Sequence, residues 1–368
     1  MYNILILTIF SFIFIGCSQK ATIQPQKSFA PELSLQKSSF DELPNWNEQE
    51  FSQIFNAFKK SCSVKKTFNK YPKACEIATT CNSSTCKDKQ HFFENYFSPY
   101  IINDNESGML TGYYEPLLHG SRAKSSKYRY PIYKRPKDLV EVSLGSLYPE
   151  LSKRKYRGRL VGNKVVPYYS RANIKEHQSE VICYVDDEIE LFFLEIQGSG
   201  RVKLDSGETI FVGYNNQNGH PYRAIGRYLI NKKKISREDM SMQAIYKYLK
   251  NNPDEVRPIL NYNPSVIFFS ENKTPATGAL GVELTPKHSV AVDRKFIPLG
   301  TLLYVDSYNK HQKVDINRVV IAQDVGGAIK GAVRADMFFG YGDDAMKSAG
   351  VMKEKLKLWM LLPKESIN

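Results

Sequence analysis

The sequence predicts a mostly β protein in two parts, with several helices on its N-terminal side. Residues 108–230 contain short runs rich in β-branched and aromatic residues, separated by turn residues, and further strand-like runs follow from residue 264. Before residue 100, apolar residues recur instead at helical spacing. A length of 368 residues with a globular composition is sufficient for two domains of ordinary size.

The first 16 residues, MYNILILTIFSFIFIG, are predicted to be a signal peptide, because their apolar run is too short to span a membrane comfortably. Residues 14–17 (FIGC) resemble a lipobox, so we expect Cys17 to be lipidated and to anchor the chain in a membrane. The start has no Lys or Arg, which leaves a plain secretory signal as the alternative. Ser18, in place of an aspartate, favours the outer membrane of a Gram-negative envelope, facing the periplasm. Residues 17–40, rich in Gln, Ser, Lys and Pro, are predicted to be a disordered tether.

Three segments are predicted to be helical. NWNEQEFSQIFNAFKKSC has an apolar stripe at i, i+3, i+4 and i+7, formed by Phe51, Ile54, Phe55 and Phe58. HFFENYFSPYII has an aromatic face that includes Phe97 and is predicted to stop at Pro99. SREDMSMQAIYKYLKNNPDEVRPIL begins with a pattern like a capping box at Ser236 and Asp239 and is broken at Pro253.

The remaining runs are predicted to be strands. IELFFLEIQGSGRVKL and TIFVGY are joined by Asp205–Glu208 (DSGE), which is typical of a β-hairpin turn. Later strands are predicted in SVIFF, SVAVD, LLYVD, RVVIAQD and LKLWMLL. The buried strand in RVVIAQD places Asp324 at its end, just before a glycine-rich turn.

Five cysteines follow Cys17. Four of them lie close together in the sequence, which in an exported chain predicts two disulfides of undetermined pairing among Cys62, Cys75, Cys81 and Cys86. A zinc site is the alternative, but no CxxC pair is present. Cys183, within VICYV, is predicted to be a buried thiol.

The formal net charge of +13 raises the question of a nucleic-acid partner. The Lys and Arg residues are scattered, and no basic stripe with interleaved aromatic residues is present, so we expect no nucleic-acid binding. A basic surface also suits an anionic envelope polymer that bears peptide carboxylates. The sequence does not point to any protein partner.

Several catalytic classes lack their motifs. No HExxH or HxH pair is present, and Ser199 in GSG lacks the G-x-S-x-G elbow. The glycine-rich turn is not a phosphate loop, because Ala332 stands where that motif needs lysine. Aspartates remain: Asp293, Asp324 and Asp336 each lie at or near a strand end, although Asp324 alone could simply cap its turn. Such carboxyls suit glycoside cleavage, provided that the pKa of the acid is raised.

Seven stretches of the sequence resemble the membrane-bound lytic murein transglycosylase A family. They run in order over about residues 108–363 and are GMLTGYYEPLLHGSR, FFLEIQGSGRV, GYNNQNGHPYRAIGRYLI, EDMSMQAI, NPSVIFF, SVAVDRKFIPLGT and AQDVGGAIKGAVRADMFFGYG. The last two also resemble domains named for three aspartates. The resemblance implies a double-psi β-barrel domain built from residues 41–125 and 256–368. It also implies a second barrel-like β domain inserted at 126–255, with the glycan in the groove between them.

The resemblance further implies cleavage of the β-1,4 bond between N-acetylmuramic acid and N-acetylglucosamine in peptidoglycan, without cofactor or metal, leaving a 1,6-anhydromuramic end. It assigns the single acid/base to Asp336, with Asp324 nearby to raise its pKa, and a structural role to Asp293. The residues expected to line the groove are Thr111, Tyr113, Tyr114, Gln197, Ser199, Tyr214 and Lys330.

Two alternatives stay open at this point. One is an inverting hydrolase on the same barrel, with Asp336 as acid and Asp324 as base, which requires carboxylates roughly 6.5–9.5 Å apart. The other is a non-catalytic lipoprotein that only binds peptidoglycan.

Overall fold

The structure, a computed structural model, describes residues 33–81, 88–103, 107–152, 155–176 and 179–364. The predicted signal peptide, the lipidation site Cys17 and most of the predicted tether lie outside the described residues. In the described ranges, no helix has both the length and the apolar character needed to cross a membrane.

The mostly β prediction is confirmed. The strands are β1 (Leu35–Lys37), β2 (Phe97–Ile102), β3 (Gly108–Glu115), β4 (Leu117–Ser121), β5 (Tyr130–Tyr133), β6 (Val140–Val142), β7 (Tyr156–Val161), β8 (Lys164–Val166), β9 (Val181–Val185), β10 (Ser199–Leu204), β11 (Thr209–Gln217), β12 (Ile267–Asn272), β13 (Ser289–Val292), β14 (Leu302–Asn309), β15 (Val314–Asp324), β16 (Arg334–Tyr341) and β17 (Lys353–Pro363). The α-helices are α1 (Phe51–Cys62), α2 (Lys65–Lys70), α3 (Pro72–Thr80), α4 (Lys89–Tyr96), α5 (Glu188–Gln197), α6 (Ile225–Asn231), α7 (Met242–Asn251), α8 (Pro253–Asn261) and α9 (Gly342–Ala349).

Six strands close into a barrel. The order is β17-β14-β15-β13-β16-β3, and β3 pairs back onto β17. Side chains that alternate along these strands fill the interior, among them Leu110, Val290, Val320, Met337 and Leu358. β2 extends the sheet beyond β17, and β1 pairs with β2, so that ordered structure is present within the segment 17–40 predicted to be a tether.

Helices α1 to α4 cover one outer side of the barrel. The predicted stripe of α1 is confirmed, because Phe51, Ile54, Phe55 and Phe58 are all buried in one aromatic core with Tyr304 and Trp359 of the barrel. The predicted end of the second helix is wrong. α4 ends at Tyr96, and Phe97 and Pro99 belong to β2. The apolar pattern continues because Phe97, in extended backbone, packs against the same core as Phe93.

A second sheet follows the barrel strand β3 in the chain. Its order is β12-β11-β10-β4-β9-β5, and a bridge between Lys134 and Phe269 links its two edges. The strands of this sheet lie between residues 117 and 272. The inserted domain is predicted to cover residues 126–255, and this boundary stays a prediction. Helices α5 to α8 form their own apolar core beside this sheet. A small sheet of β6, β7 and β8 lies within the same part of the chain.

The segment IELFFLEIQ was predicted to be a strand, and this is wrong. It forms α5, where Asp187 caps the first turn by accepting from the backbone N–H groups of Ile189 and Glu190. Gly198 ends the helix in the left-handed region, at φ 81°. The helix is apolar on most sides because it packs between the second sheet and α8, which hides its helical period.

Other local predictions are confirmed or shifted slightly. β10 and β11 form the predicted hairpin, with Gly207 at φ 90° in its turn. Ser236 and Asp239 make the expected capping contacts, but α7 starts later, at Met242, with Ser241 as its cap. Pro253 follows the end of α7 and occupies the first turn of α8.

The cysteines agree with the predicted chemistry. Cys62 and Cys75 form a disulfide that joins the end of α1 to α3, and Cys81 is also disulfide-bonded. Cys86 lies outside the described residues. Cys183 is a buried free thiol, as predicted, and burial raises its pKa to about 12.

Candidate active site

A β-bulge aligns two of the three aspartates. In the parallel pairing of β13 with β15, Val290 lies opposite Ala322 but Ala291 lies opposite Asp324, so that Gln323 is the extra residue. Because a shift of one residue reverses the side-chain direction, the bulge turns Asp324 to the outer face of the barrel. Asp336 of β16 lies opposite Ala291 on the other side and shares that face.

The bulge is held by buried polar contacts. The Gln323 side chain donates to the Ser61 hydroxyl of α1 over 2.8 Å and accepts from the Ser289 hydroxyl, and its backbone carbonyl accepts from the Leu280 N–H over 2.9 Å. Gln323, Ser61 and Ser289 are fully buried. An amide buried without partners is costly, so these contacts favour this register over a regular strand.

The Asp336 carboxyl is held through one of its two oxygens. The Thr111 hydroxyl of β3 donates to Oδ1 of Asp336 over 2.5 Å, and Arg334 Nη2 donates to that hydroxyl over 2.8 Å. Arginine can only donate, so the Thr111 proton must point at Asp336. Among the described residues, Oδ2 of Asp336 has no hydrogen-bond partner. If Asp336 carries a proton, the proton therefore belongs on Oδ2.

Asp324 has a different environment, because each of its oxygens accepts at least one hydrogen bond. Oδ1 accepts from the backbone N–H groups of Ala279 and Val325, over 3.0 and 2.9 Å. Oδ2 accepts from the Tyr113 hydroxyl over 3.0 Å. The side chain is thus a fixed acceptor at the end of its strand.

Burial raises the pKa of both carboxyls. For Asp336, burial is the main cause. The Thr111 hydrogen bond and the Arg334 charge oppose this rise in pKa, while the Asp324 charge adds to it. Burial also raises the pKa of Asp324, against its two backbone N–H donors and Tyr113. Because burial outweighs the opposing contacts, Asp336 keeps its proton to a higher pH than an ordinary aspartate does.

Asp293 lies apart from this pair and joins two loops. Its Oδ1 accepts from the Lys295 N–H and its Oδ2 from the Gly331 N–H, each over 3.1 Å. Gly331 has a φ of 113°, a backbone angle that residues other than glycine rarely adopt. Burial alone would raise the pKa of Asp293, but these N–H donors and the charges of Lys330 and Lys295 lower it. Asp293 stays ionised and ties the glycine-rich turn to the end of β13.

The predicted groove residues differ in whether they contact the aspartates. Thr111 and Tyr113 contact the aspartates directly, as described above. Tyr114 is only 4% exposed and packs against Ala345 and Ala349 of α9, while its backbone N–H donates to Gln197 Oε1 over 3.3 Å. This last contact joins β3 of the barrel to the end of α5.

Ser199 and Tyr214 lie near that junction, at the start of β10 and on β11. The Tyr214 N–H donates to the Gly198 carbonyl over 2.7 Å, and the Tyr214 ring is half exposed. Lys330 is exposed in the glycine-rich turn, near Asp293 rather than beside the aspartate pair.

Sequence reasoning missed two residues of this site, Arg334 and Gln323. Arg334 precedes Asp336 by two positions in a strand, so the period of two could have placed both side chains on one face. Gln323 gave no comparable signal, because its partner Ser61 lies 262 residues away in the chain. Across the described ranges, no group of three or more His, Cys, Asp or Glu residues is arranged to hold a metal ion.

The sequence is similar to known proteins of one family. The MltA specific insert domain matches residues 109–270, and the 3D domain matches residues 288–362. The chain is 34% identical over 260 residues to membrane-bound lytic murein transglycosylase A of Escherichia coli K12, covering 68% of this chain and 65% of that relative. The Vibrio cholerae protein of the same name is 31% identical, with 69% and 65% covered. The chain thus spans about two thirds of the length of these curated relatives.

Solved structures agree over a larger share of the chain. MltA from Neisseria gonorrhoeae superposes with a TM-score of 0.81 at 35% identity, over 90% of this chain and 93% of that one. E. coli MltA with bound chitohexaose superposes with a TM-score of 0.67 at 26% identity, over 91% and 93%. The chain therefore belongs to the MltA family of membrane-bound lytic murein transglycosylases.

Proposed function

We propose that this protein is a lytic transglycosylase that cleaves the β-1,4 bond between N-acetylmuramic acid and N-acetylglucosamine in peptidoglycan. The observation that carries the proposal is the state of Asp336, a carboxyl with a raised pKa, whose Oδ1 is held by Thr111 and whose Oδ2 has no hydrogen-bond partner among the described residues. The names of the MltA relatives, and the chitohexaose bound to one of them, support a glycan of N-acetylated sugars as the substrate.

In the first step, Oδ2 of Asp336 gives its proton to the glycosidic oxygen, and the bond from that oxygen to C1 of the muramic residue breaks. The N-acetylglucosamine leaves with a new hydroxyl. Thr111 then donates to a full carboxylate, and Arg334 stabilises the negative charge through the same hydroxyl.

In the second step, ionised Asp336 removes the proton from the C6 hydroxyl of the muramic residue, and O6 bonds to C1. The product is a 1,6-anhydromuramic end, no water is consumed, and Asp336 is protonated again. One acid/base is sufficient because the substrate carries its own nucleophile, in contrast to the two carboxylates of ordinary glycosidases.

The environment of Asp324 favours this reaction over inverting hydrolysis. A base for water needs an accessible carboxylate oxygen, whereas three donors, two N–H groups and the Tyr113 hydroxyl, already use most of the acceptor capacity of Asp324. We assign Asp324 the role of a fixed negative charge that raises the pKa of Asp336.

The test is mass spectrometry of the fragments released from purified peptidoglycan by the full chain in detergent, beside Asp336→Asn. Asp344→Asn, which changes a fully exposed aspartate, is the matched control. We expect fragments one water lighter than hydrolysed ones from the native chain and the control, and none from Asp336→Asn. Fragments with ordinary reducing ends would instead establish the hydrolase. Binding without release of any fragment would establish a non-catalytic peptidoglycan-binding protein.

We also propose that the closed barrel is of the double-psi type. Mixed pairing supports this, since β13 is parallel to β15 and antiparallel to β16, and β16 is parallel to β3. A crystal structure at a resolution that traces the strand crossings would test it. A ring with simple up-and-down connections would contradict it.

The lipid anchor is a further part of this proposal. Cleavage before Cys17 and lipidation of that cysteine would hold the protein at the outer membrane, within reach of peptidoglycan. Labelling with a radioactive fatty acid should mark the native chain and leave Cys17→Ser unlabelled. A Cys17→Ser chain that is labelled equally would exclude the anchor at this position.

A further inference from the structure

Three cationic side chains lie along one edge of the proposed active site, on the outer face of the barrel. On β17, Lys353 lies opposite Thr111 and Lys355 lies opposite Met109. On the other side of β3, Asp336 lies opposite Thr111 and Arg334 lies opposite Met109. The result is a grid of two rows, Lys353-Thr111-Asp336 and Lys355-Met109-Arg334. We call the three cationic side chains, Arg334, Lys353 and Lys355, the basic patch.

All six side chains of this grid lie on one face. Directly opposed residues of neighbouring strands point the same way, and Thr111 and Asp336 point outward because Leu110 and Ala335 fill the barrel interior. Lys353 and Lys355 are exposed, and Met109 is 39% exposed between them and Arg334. Neighbouring strands are roughly 4.8 Å apart, so Lys353 and Asp336 are separated by about 10 Å between Cα atoms.

The two lysines of the basic patch have no salt-bridge partner within the described part of the chain, whereas the Arg334 charge interacts with Asp336. Neither lysine forms a salt bridge there, and Arg334 donates only to Thr111 and to the carbonyls of Met109 and Ala335. The next lysine of β17, Lys357, differs from these two because it lies opposite an acidic residue, Asp306 of β14. Asp336 is thus the only acidic side chain of the grid.

Two exposed lysines that form no salt bridge in the described ranges, beside an acid/base, suit an anionic part of the substrate. In peptidoglycan the N-acetylated sugar chain is uncharged, and the carboxylates are on the peptide attached to the muramic residue. The proposed reaction places this muramic residue against Asp336, because its C6 hydroxyl must reach that carboxyl. The attached peptide, carried on C3 of the same ring, then leaves the glycan within one sugar's length of Asp336, and the basic patch lies beside Asp336 on the Thr111 side.

We propose that Lys353 and Lys355, together with Arg334, bind the carboxylates of the peptide attached to the muramic residue at the cleavage site. The inference rests on the proposed function, which it deepens by naming a second part of the substrate. Met109, exposed between the cations, contacts the apolar side of the same peptide. Specificity for peptide-bearing glycan follows from this patch, and bond cleavage from Asp336.

The test compares binding to two insoluble materials, intact peptidoglycan and peptidoglycan treated with an amidase. The treatment removes the peptides and leaves only the short lactyl carboxylate on each muramic residue. Full-length protein carrying Asp336→Asn, which leaves the material undigested, is measured by co-sedimentation with and without K353Q/K355Q. The matched control is K164Q/K203Q, two exposed strand lysines in the second part of the chain.

We expect K353Q/K355Q to bind intact peptidoglycan about three- to tenfold more weakly, because one exposed ion pair changes a binding constant by at most roughly fivefold. Binding to the amidase-treated material should not change, and K353R/K355R should restore binding to the intact material. The difference should shrink at high salt.

Two results would overturn the proposal: an equal loss on both materials, or no loss on either. The binding measurement does not depend on the products of the reaction. If the native chain released ordinary reducing ends while the lysine effect persisted, the proposed reaction would fail and the basic patch would stand. If only anhydro ends appeared and the lysine variants bound normally, the proposed reaction would stand and the proposal for the basic patch would fail.

Discussion

Asp324 and Asp336 lie on opposite sides of Ala291, each paired with it from a neighbouring strand of the barrel. Two strand spacings separate them, so their Cα atoms are roughly 9.6 Å apart. At this distance Asp324 acts on Asp336 through its charge and not through a shared hydrogen bond.

Asp324→Asn should lower kcat by about tenfold, much less than the loss of roughly 10²–10⁴-fold expected from removing a general acid/base with Asp336→Asn. Asparagine keeps acceptor capacity for the N–H groups of Ala279 and Val325 but removes the charge. Without that charge the pKa of Asp336 falls, and activity that needs its proton is lost at lower pH. Rates of fragment release over a pH series measure both effects. Equal losses in the two variants would instead favour the hydrolase, in which both carboxyls react.

Arg334→Gln should move the alkaline limit of activity upward. The positive charge and the Thr111 hydrogen bond both favour ionised Asp336, so removing the charge raises its pKa further. The protonated acid then persists to higher pH, and the alkaline limb of kcat/KM shifts up by as much as about one pH unit. Thr111→Val should shift it in the same direction. Arg227→Gln, an exposed arginine of α6, serves as the control and should leave the profile in place. A downward shift in Arg334→Gln would contradict this account.

Gln323→Leu should destabilise the protein and reduce its activity together. The change leaves the Ser61 and Ser289 hydroxyls without their buried partner, at a cost of about 1–3 kcal/mol in the free energy of unfolding. It also weakens the bulge that turns Asp324 outward. Chemical denaturation and kcat measure the two effects. Gln36→Leu, at an exposed position of β1, should change the free energy of unfolding by less than about 0.5 kcal/mol. Full activity in a destabilised Gln323→Leu would show that the bulge does not position Asp324.

Replacing Cys62 and Cys75 by serine should lower the free energy of unfolding by about 3 kcal/mol, the usual value for a loop of this length. The disulfide lies among the helices on the barrel wall and does not contact the aspartates. Activity at room temperature should therefore stay near that of the native chain, while the thermal midpoint falls by several degrees. An unchanged midpoint would mean that the helices hold this wall without the disulfide.

Much of the local structure could be predicted because its signals lie within a few residues. The stripe of Phe51, Ile54, Phe55 and Phe58 required a buried helix, and the hairpin turn at Gly207 required the strand pair around it. The buried run before Asp324 correctly placed this residue at a strand end. The segment of α5 failed this kind of reasoning, because apolar residues on most of its sides conceal the helical period.

The proposed site depended on contacts between distant parts of the chain. Period-two alternation alone would turn Asp324 away from Asp336, and the bulge at Gln323 reverses this. That bulge is held by Ser61, which belongs to a helix near the other end of the chain. The pKa of Asp336 likewise follows from burial and from Thr111 on another strand. Local periodicity specifies helices and strands, but register, burial and charge environment arise only when separate segments pack together.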